Sequence, residues 1–208
     1  MAAMPGRDHH AFIMTHSWVT IAPKYVNMAD ITVSAVPDRV PAKPDTLSVP
    51  EEPAWDIIEL LFFAYRDFVA DADDVLAGYG FGRAHHRVLH FVYRHPGMKV
   101  ADLLDILKIT KQSLGRVLKQ LIDQEFVQQK EGANDRRQRL LFVTANGEAL
   151  ALKLAGLQTA RISRALEEFG AGSHEAARRF LIAMINPESR DSVLRLMARA
   201  DRIRGARK

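Results

Sequence analysis

Eight basic side chains (Lys108, Lys111, Arg116, Lys119, Lys130, Arg136, Arg137 and Arg139) fall within residues 108–139, against four acids, Asp123, Glu125, Glu131 and Asp135. That excess of four equals the net charge of the whole 208-residue chain, +4. Cations gathered in this way suit one chemistry above others, the binding of a polyanion. Their spacing narrows it further. Gln112, Arg116, Lys119 and Asp123 stand at i, i+4, i+7 and i+11, so a helix puts them on one face, with Leu114, Val117, Leu118, Leu121 and Ile122 on the other. A polar face with Lys and Arg on it usually does no more than meet water. Here its leading part, Lys111, Gln112, Ser113 and Arg116, carries the groups that read a duplex. Gln can bond adenine through both ends of its amide, Arg can do the same with guanine, and a helix N-terminus favours phosphate. Gly115 leaves room for close approach.

A second arrangement is built on histidine. His86 and His90 are four residues apart, so one helix face can aim both imidazoles at a metal ion or haem, with His85, His95 and nearby acids as further donors. A metal- or haem-responsive sensor using His86 and His90 is therefore an alternative reading. No ligand spacing here is diagnostic, and a surface or interface pair is the commoner outcome. The chain has no cysteine, which removes disulfides, thiolate ligands and Cys nucleophiles. The run Gly78-Tyr79-Gly80-Phe81-Gly82 has the glycines of a phosphate loop but follows an acidic helix rather than a buried strand. No Ser-His-Asp set, carboxylate pair or P-loop stands out. The expectation is a protein that is not an enzyme and needs no cofactor.

These side chains need a scaffold, and the periodicity supplies a mainly α one with a small β-hairpin. Trp55, Ile58, Leu61, Phe62, Tyr65, Phe68, Val69 and Ala72 recur every three or four residues along an acidic helix that starts near Pro53. Further helices are expected over about Arg83 to Arg94 and Val100 to Leu107, then from a Thr110 cap to about Gln124. The period then changes. Phe126-Val127-Gln128-Gln129 and Gln138 to Val143 read as strands around a turn rich in Gly, Asn and Asp. Thr144 caps a long helix that carries Leu150, Leu154, Leu157, Ile162, Ala165, Leu166 and Phe169 on one side, and Gly170-Ala171-Gly172 ends it. A last helical region begins at Ser173, and Pro187 must kink or split it.

A short helix, a turn, a basic helix and a basic hairpin, in that order, make a winged helix-turn-helix. Its wing would bring Arg136, Arg137 and Arg139 to phosphates or a minor groove. A winged helix used only as a protein–protein module is a further alternative, and it predicts no salt-dependent duplex binding. Residues 1–50 hold six of the nine prolines and no sustained period. They read as a disordered leader, with Met28 as a second sensible start. No apolar run approaches membrane-spanning length and no secretory core is visible, so the expected location is the cytoplasm.

Several of these segments together resemble the MarR transcriptional regulators. They are Leu103 to Leu107, Thr110-Lys111-Gln112-Ser113-Leu114-Gly115-Arg116-Val117, Leu121, Phe126-Val127, Asp135-Arg136-Arg137 and Leu141-Phe142-Val143-Thr144-Ala145-Asn146-Gly147. The Asp-Arg-Arg wing and the strand end that follows it are the most specific part, and the likeness covers about residues 53–200. The run from Gly82 to Phe91 is similar to the PetP-type subgroup. The resemblance implies a homodimer that grips a near-palindromic operator in double-stranded DNA. Residues 51–77 and 144–204 would form the helical dimerisation domain, and 82–143 the winged reading lobe. Asp135 would pair with a wing arginine, Arg137 or Arg136 would enter the minor groove, and Thr110 to Arg116 would face the major groove. A small-molecule effector would sit between the two domains, against Phe62, Tyr65, Arg66, Val69, His85, His86 and Leu89. The absence of cysteine closes the oxidant-sensing mode.

Overall fold

The computed structural model describes residues 52–132 and 138–205. Seven helices and three strands follow in the order α1 (Trp55–Ala77), α2 (Arg83–Arg94), β1 (Met98–Lys99), α3 (Val100–Leu107), α4 (Lys111–Asp123), β2 (Val127–Glu131), β3 (Arg139–Val143), α5 (Ala145–Phe169), α6 (Ser173–Met184) and α7 (Pro187–Gly205). The expected hairpin is present, with Val127 opposite Val143 and Glu131 opposite Arg139. β1 adds a third antiparallel strand on the far side of β3, in the order β1-β3-β2. The sequence reading missed it because two residues are too few to show an alternation. Among the described residues no helix is long and apolar enough to cross a membrane.

The core lies in the middle of the chain. Val88, Leu89 and Val92 from α2, Leu103 from α3, Leu114 and Leu121 from α4, Leu141 from β3 and Leu154 from α5 are all essentially inaccessible to water. Burying side chains of this size contributes roughly 1.5–3 kcal/mol each. Helix α1 joins this core only through its last turns, at Ala72 and Leu76. Its first half stays outside, with Trp55 64% and Phe62 70% exposed. α5 divides in the same way. Leu150, Ala151 and Leu154 are buried, whereas Ile162 and Phe169 face solvent.

Local rules set the helix ends. The Thr144 hydroxyl accepts from the Gly147 N–H at 3.1 Å and donates to the Glu125 carbonyl, tying the start of α5 to the chain ahead of β2. Pro187 does split the last helical region. α6 stops at Met184, and Arg190 from α7 donates to the carbonyls of Ile182, Ala183 and Ile185, satisfying groups that the helix end leaves open. The acids of α1 find arginine partners on neighbouring helices. Asp73 pairs with Arg83 of α2 and Asp71 with Arg161 of α5, each at 2.8 Å.

Candidate nucleic-acid interface

Helix α3 ends at Lys108, which adopts the left-handed conformation (φ 52°) and turns the chain sharply into α4. Thr110 then caps α4: its hydroxyl accepts from the Ser113 N–H at 3.1 Å. The same hydroxyl donates to the Ser113 hydroxyl at 2.9 Å, so Ser113 is half-buried and engaged in the cap. Leu114, Val117, Leu118 and Leu121 hold the inner side of α4 in the core, as the spacing predicts. Lys111, Gln112, Arg116 and Lys119 are exposed on the outer side. Lys119 is bonded to Asp123 at 2.6 Å, one turn on. Lys111, Gln112 and Arg116 make no side-chain hydrogen bond or ion pair with the other described residues. They are the groups left to meet a partner. Beside them runs a cleft of about 410 Å³ lined by Lys111, Gly115, Leu118, Ile122 and Gln129, and a Cβ on Gly115 would stand in open space.

The hairpin rises next to this helix. At its last described rung the Gly132 N–H donates to the Gln138 carbonyl, and Arg139 is ion-paired across the strands with Glu131 at 3.0 Å. Lys130 sits 5.1 Å above the ring of Phe142, a cation–π contact on the same ribbon. The tip, which carries Asp135, Arg136 and Arg137, lies outside the described residues.

The histidines take different places. His85 is buried and stacked on Phe81, with ring centroids 4.7 Å apart. Its Nδ1 accepts from the Gly82 N–H at 3.1 Å, and its Nε2 lies 2.6 Å from the Gln120 side-chain oxygen on α4. Burial holds its proton affinity below the ordinary imidazole value, with the Gln120 bond and a bond to the Gly82 backbone opposing. His86, His90 and His95 are also held below that value, first by desolvation. Asp73 opposes the shift at His86, while His86, Arg94 and His95 add to it at His90. Among the described residues no three His, Cys, Asp or Glu side chains come together as a metal site.

The residues expected against an effector are divided. His85 and Leu89 belong to the core of the lobe, Leu89 being 1% exposed. Phe62 is in solvent, and Arg66 bonds Asp67 and covers the ring of Phe63, all on α1. Tyr65 lies under the Arg83 guanidinium at 5.9 Å, and Val69 is buried farther along α1. Gln120 went unread in the sequence. It lies 35 residues from His85, and no helical or strand period reaches that far.

Known proteins share both the fold and the sequence. Over 133 residues the chain is 43% identical to the HTH-type transcriptional regulator PetP of Rhodobacter capsulatus, an overlap of 64% of this chain and 80% of that one. A MarR transcriptional regulator from Methanosarcina mazei Go1 superposes with a TM-score of 0.55 at 21% identity, covering 70% of this chain and 94% of the other. The transcriptional regulator SlyA gives 0.55 at 18% identity, over 65% and 96%. The sequence pattern of the MarR family matches residues 79–138, from the loop before α2 to the end of the wing turn. With a capped helix beside a three-stranded antiparallel sheet, this chain belongs to the MarR family of winged-helix transcriptional regulators.

Proposed function

We propose that the protein acts as a cytoplasmic homodimer and reads a near-palindromic operator in double-stranded DNA, with α4 in the major groove and the wing on the adjacent minor groove. The observation that carries this reading is the set Lys111, Gln112 and Arg116, which pair with no other described residue, on the exposed face of a capped helix beside a basic ribbon. A B-form major groove about 12 Å wide admits such a helix and displays the acceptors that Arg and Gln recognise. Arg137 or Arg136, steadied by Asp135, would contact the minor groove, and Arg139 would join once released from Glu131.

The dimer is supported by apolar surface. Trp55, Phe62 and Phe63 on α1, Phe169 on α5, and Phe180 and Leu181 on α6 are all exposed in the single chain. A soluble monomer rarely leaves so much large apolar surface in water. Residues 51–77 and 144–204 would form the dimer domain and 82–143 the reading lobe. Tyr65, Arg83, Asp73 and His86 meet at the junction of α1 and α2. A small-molecule effector that altered the angle between the domains would act there.

Operator fragments selected from genomic DNA and titrated by gel shift test the reading. Affinity should fall steeply with salt as phosphate contacts release counterions, and half-sites should lie about one helical turn apart. Arg116→Ala and Gln112→Ala should each cost about 1–3 kcal/mol and relax preference at particular base pairs, whereas Arg137→Ala should weaken all sequences alike. Duplex binding that is indifferent to salt and to Arg116→Ala would refute the assignment.

A further inference from the structure

Among the described residues only two that are not glycine hold a left-handed backbone, Lys108 at φ 52° and Glu125 at φ 59°. They bracket α4, a lysine ahead of its first turn and a glutamate behind its last. A residue with a Cβ enters this region at a conformational cost that glycine escapes, and such outliers gather where function holds them. At Lys108 the bend is also held still. Leu107 before it is buried, and Ile109 after it packs on the core. The Lys108 N–H donates to the Leu104 carbonyl at 2.9 Å, and Arg87 of α2 donates to the Leu107 carbonyl at 3.3 Å. The Lys108 side chain takes no part in this. It is exposed, and its ammonium pairs with no other described residue, Asp105 one turn back on α3 included. A cation with no internal role therefore stands on a fixed turn, three residues ahead of Lys111.

Docking geometry says what that cation would meet. In a helix-turn-helix complex the first helix crosses the sugar–phosphate backbone, and the second sets its N-terminal residues against the bases. An α-helix with its side chains is about 10–12 Å across and the major groove about 12 Å wide, so a helix lying there reaches from wall to wall. The turn that joins the two helices then lies at the wall, where the phosphates are. We propose that Lys108 contacts an operator phosphate at the rim of the major groove and holds α4 in register without reading a base. The inference rests on the operator-reading role proposed above. A contact of this kind positions the protein on the duplex and carries no sequence information. Glu125 is the internal control. It has the same backbone strain and the opposite charge, and it follows the far end of a 13-residue helix, about 20 Å away.

The test measures operator affinity over a salt series, together with urea unfolding, on the full chain and its variants. Lys108→Gly should unfold at the same or a higher urea concentration than the wild type, because glycine relieves the bend. It should nevertheless bind roughly five- to tenfold more weakly at about 0.1 M salt, with a salt slope smaller by about 1. The loss should be the same on operators that differ in the base pairs under α4. Lys108→Met, which keeps the bend and drops the charge, should show the same weaker binding and smaller slope, and Lys108→Arg should restore both. That pair leaves the backbone as it is, so it decides the point even where Lys108→Gly fails to fold. Glu125→Gly should leave affinity undiminished. Wild-type affinity and slope in Lys108→Met, with Arg116→Ala still weak, would overturn the contact and leave operator reading standing. Equal losses in Lys108→Arg or in Glu125→Gly would overturn it as well, by tracing the effect to the bend rather than the charge. A wild type without salt-dependent duplex binding would refute operator reading, and the contact with it.

Discussion

Phe62→Glu should raise the dissociation constant of the proposed dimer by roughly two to four orders of magnitude while leaving the winged-helix lobe folded. Phe62 is 70% exposed in the single chain, with Trp55, Ile58, Phe63 and Tyr65 exposed around it on the same helix. Covering a phenylalanine contributes about 1.5–3 kcal/mol, and a two-fold interface contains each residue twice. A carboxylate at that position also has to be desolvated, so about 3–6 kcal/mol is the expected loss at tenfold per 1.4 kcal/mol. The lobe should survive because α1 enters its core only through its last turns. Sedimentation equilibrium on both proteins measures the constant, and circular dichroism checks the fold. Unchanged self-association would show that this face does not pair with a second copy.

Gly147→Ala should destabilise the fold by about 3–5 kcal/mol, a large part of the 5–15 kcal/mol that holds a typical domain together. A Cβ at Gly147 would stand 1.9 Å from the Phe126 carbonyl oxygen and 2.9 Å from its carbon. The neighbour is backbone, so no side chain can swing away. That same oxygen accepts the Thr144 N–H at 3.1 Å, and Gly147 N–H serves the Thr144 cap, so relief of the clash must disturb both bonds. Overpacking of about 1–3 kcal/mol, a lost hydrogen bond of about 1 and a weakened cap of about 1 compose the figure. Gly115→Ala is the matched control. Its Cβ meets nothing within 4 Å, so helix propensity alone acts and stability should rise by up to about 1 kcal/mol. Urea midpoints for the two variants should move in opposite directions. A small shift for Gly147→Ala would mean that the α5 junction yields easily.

The caps at Thr110 and Thr144, the apolar inner face of α4 and the break at Pro187 were legible because each depends on residues within one or two turns. The exposed positions of Lys111, Gln112 and Arg116 followed from the same period. The partners of His85 were not legible, for the opposite reason. At helical spacing it groups with His86 and Leu89 as a lining residue, but its two nitrogens are claimed by Gly82 and by a glutamine from another helix. Arg94 of α2 is likewise joined to Asp201 of α7 at 2.8 Å, across 107 residues, with no trace in the spacing.

From the chain alone came the order of the helices and the hairpin, the basic helix and ribbon, and the family likeness, since hydrophobic period, capping chemistry and local charge are short-range properties. Tertiary structure decided which apolar residues are covered. The stripe on α1 reads as one continuous face, yet packing within the single chain fully buries only its last turns. It also explained Gly147, whose reason is a carbonyl 21 positions earlier that leaves no space for a methyl group. Contacts of that kind form when distant segments close on one another, and pairwise distance in the folded chain is not written in any local pattern.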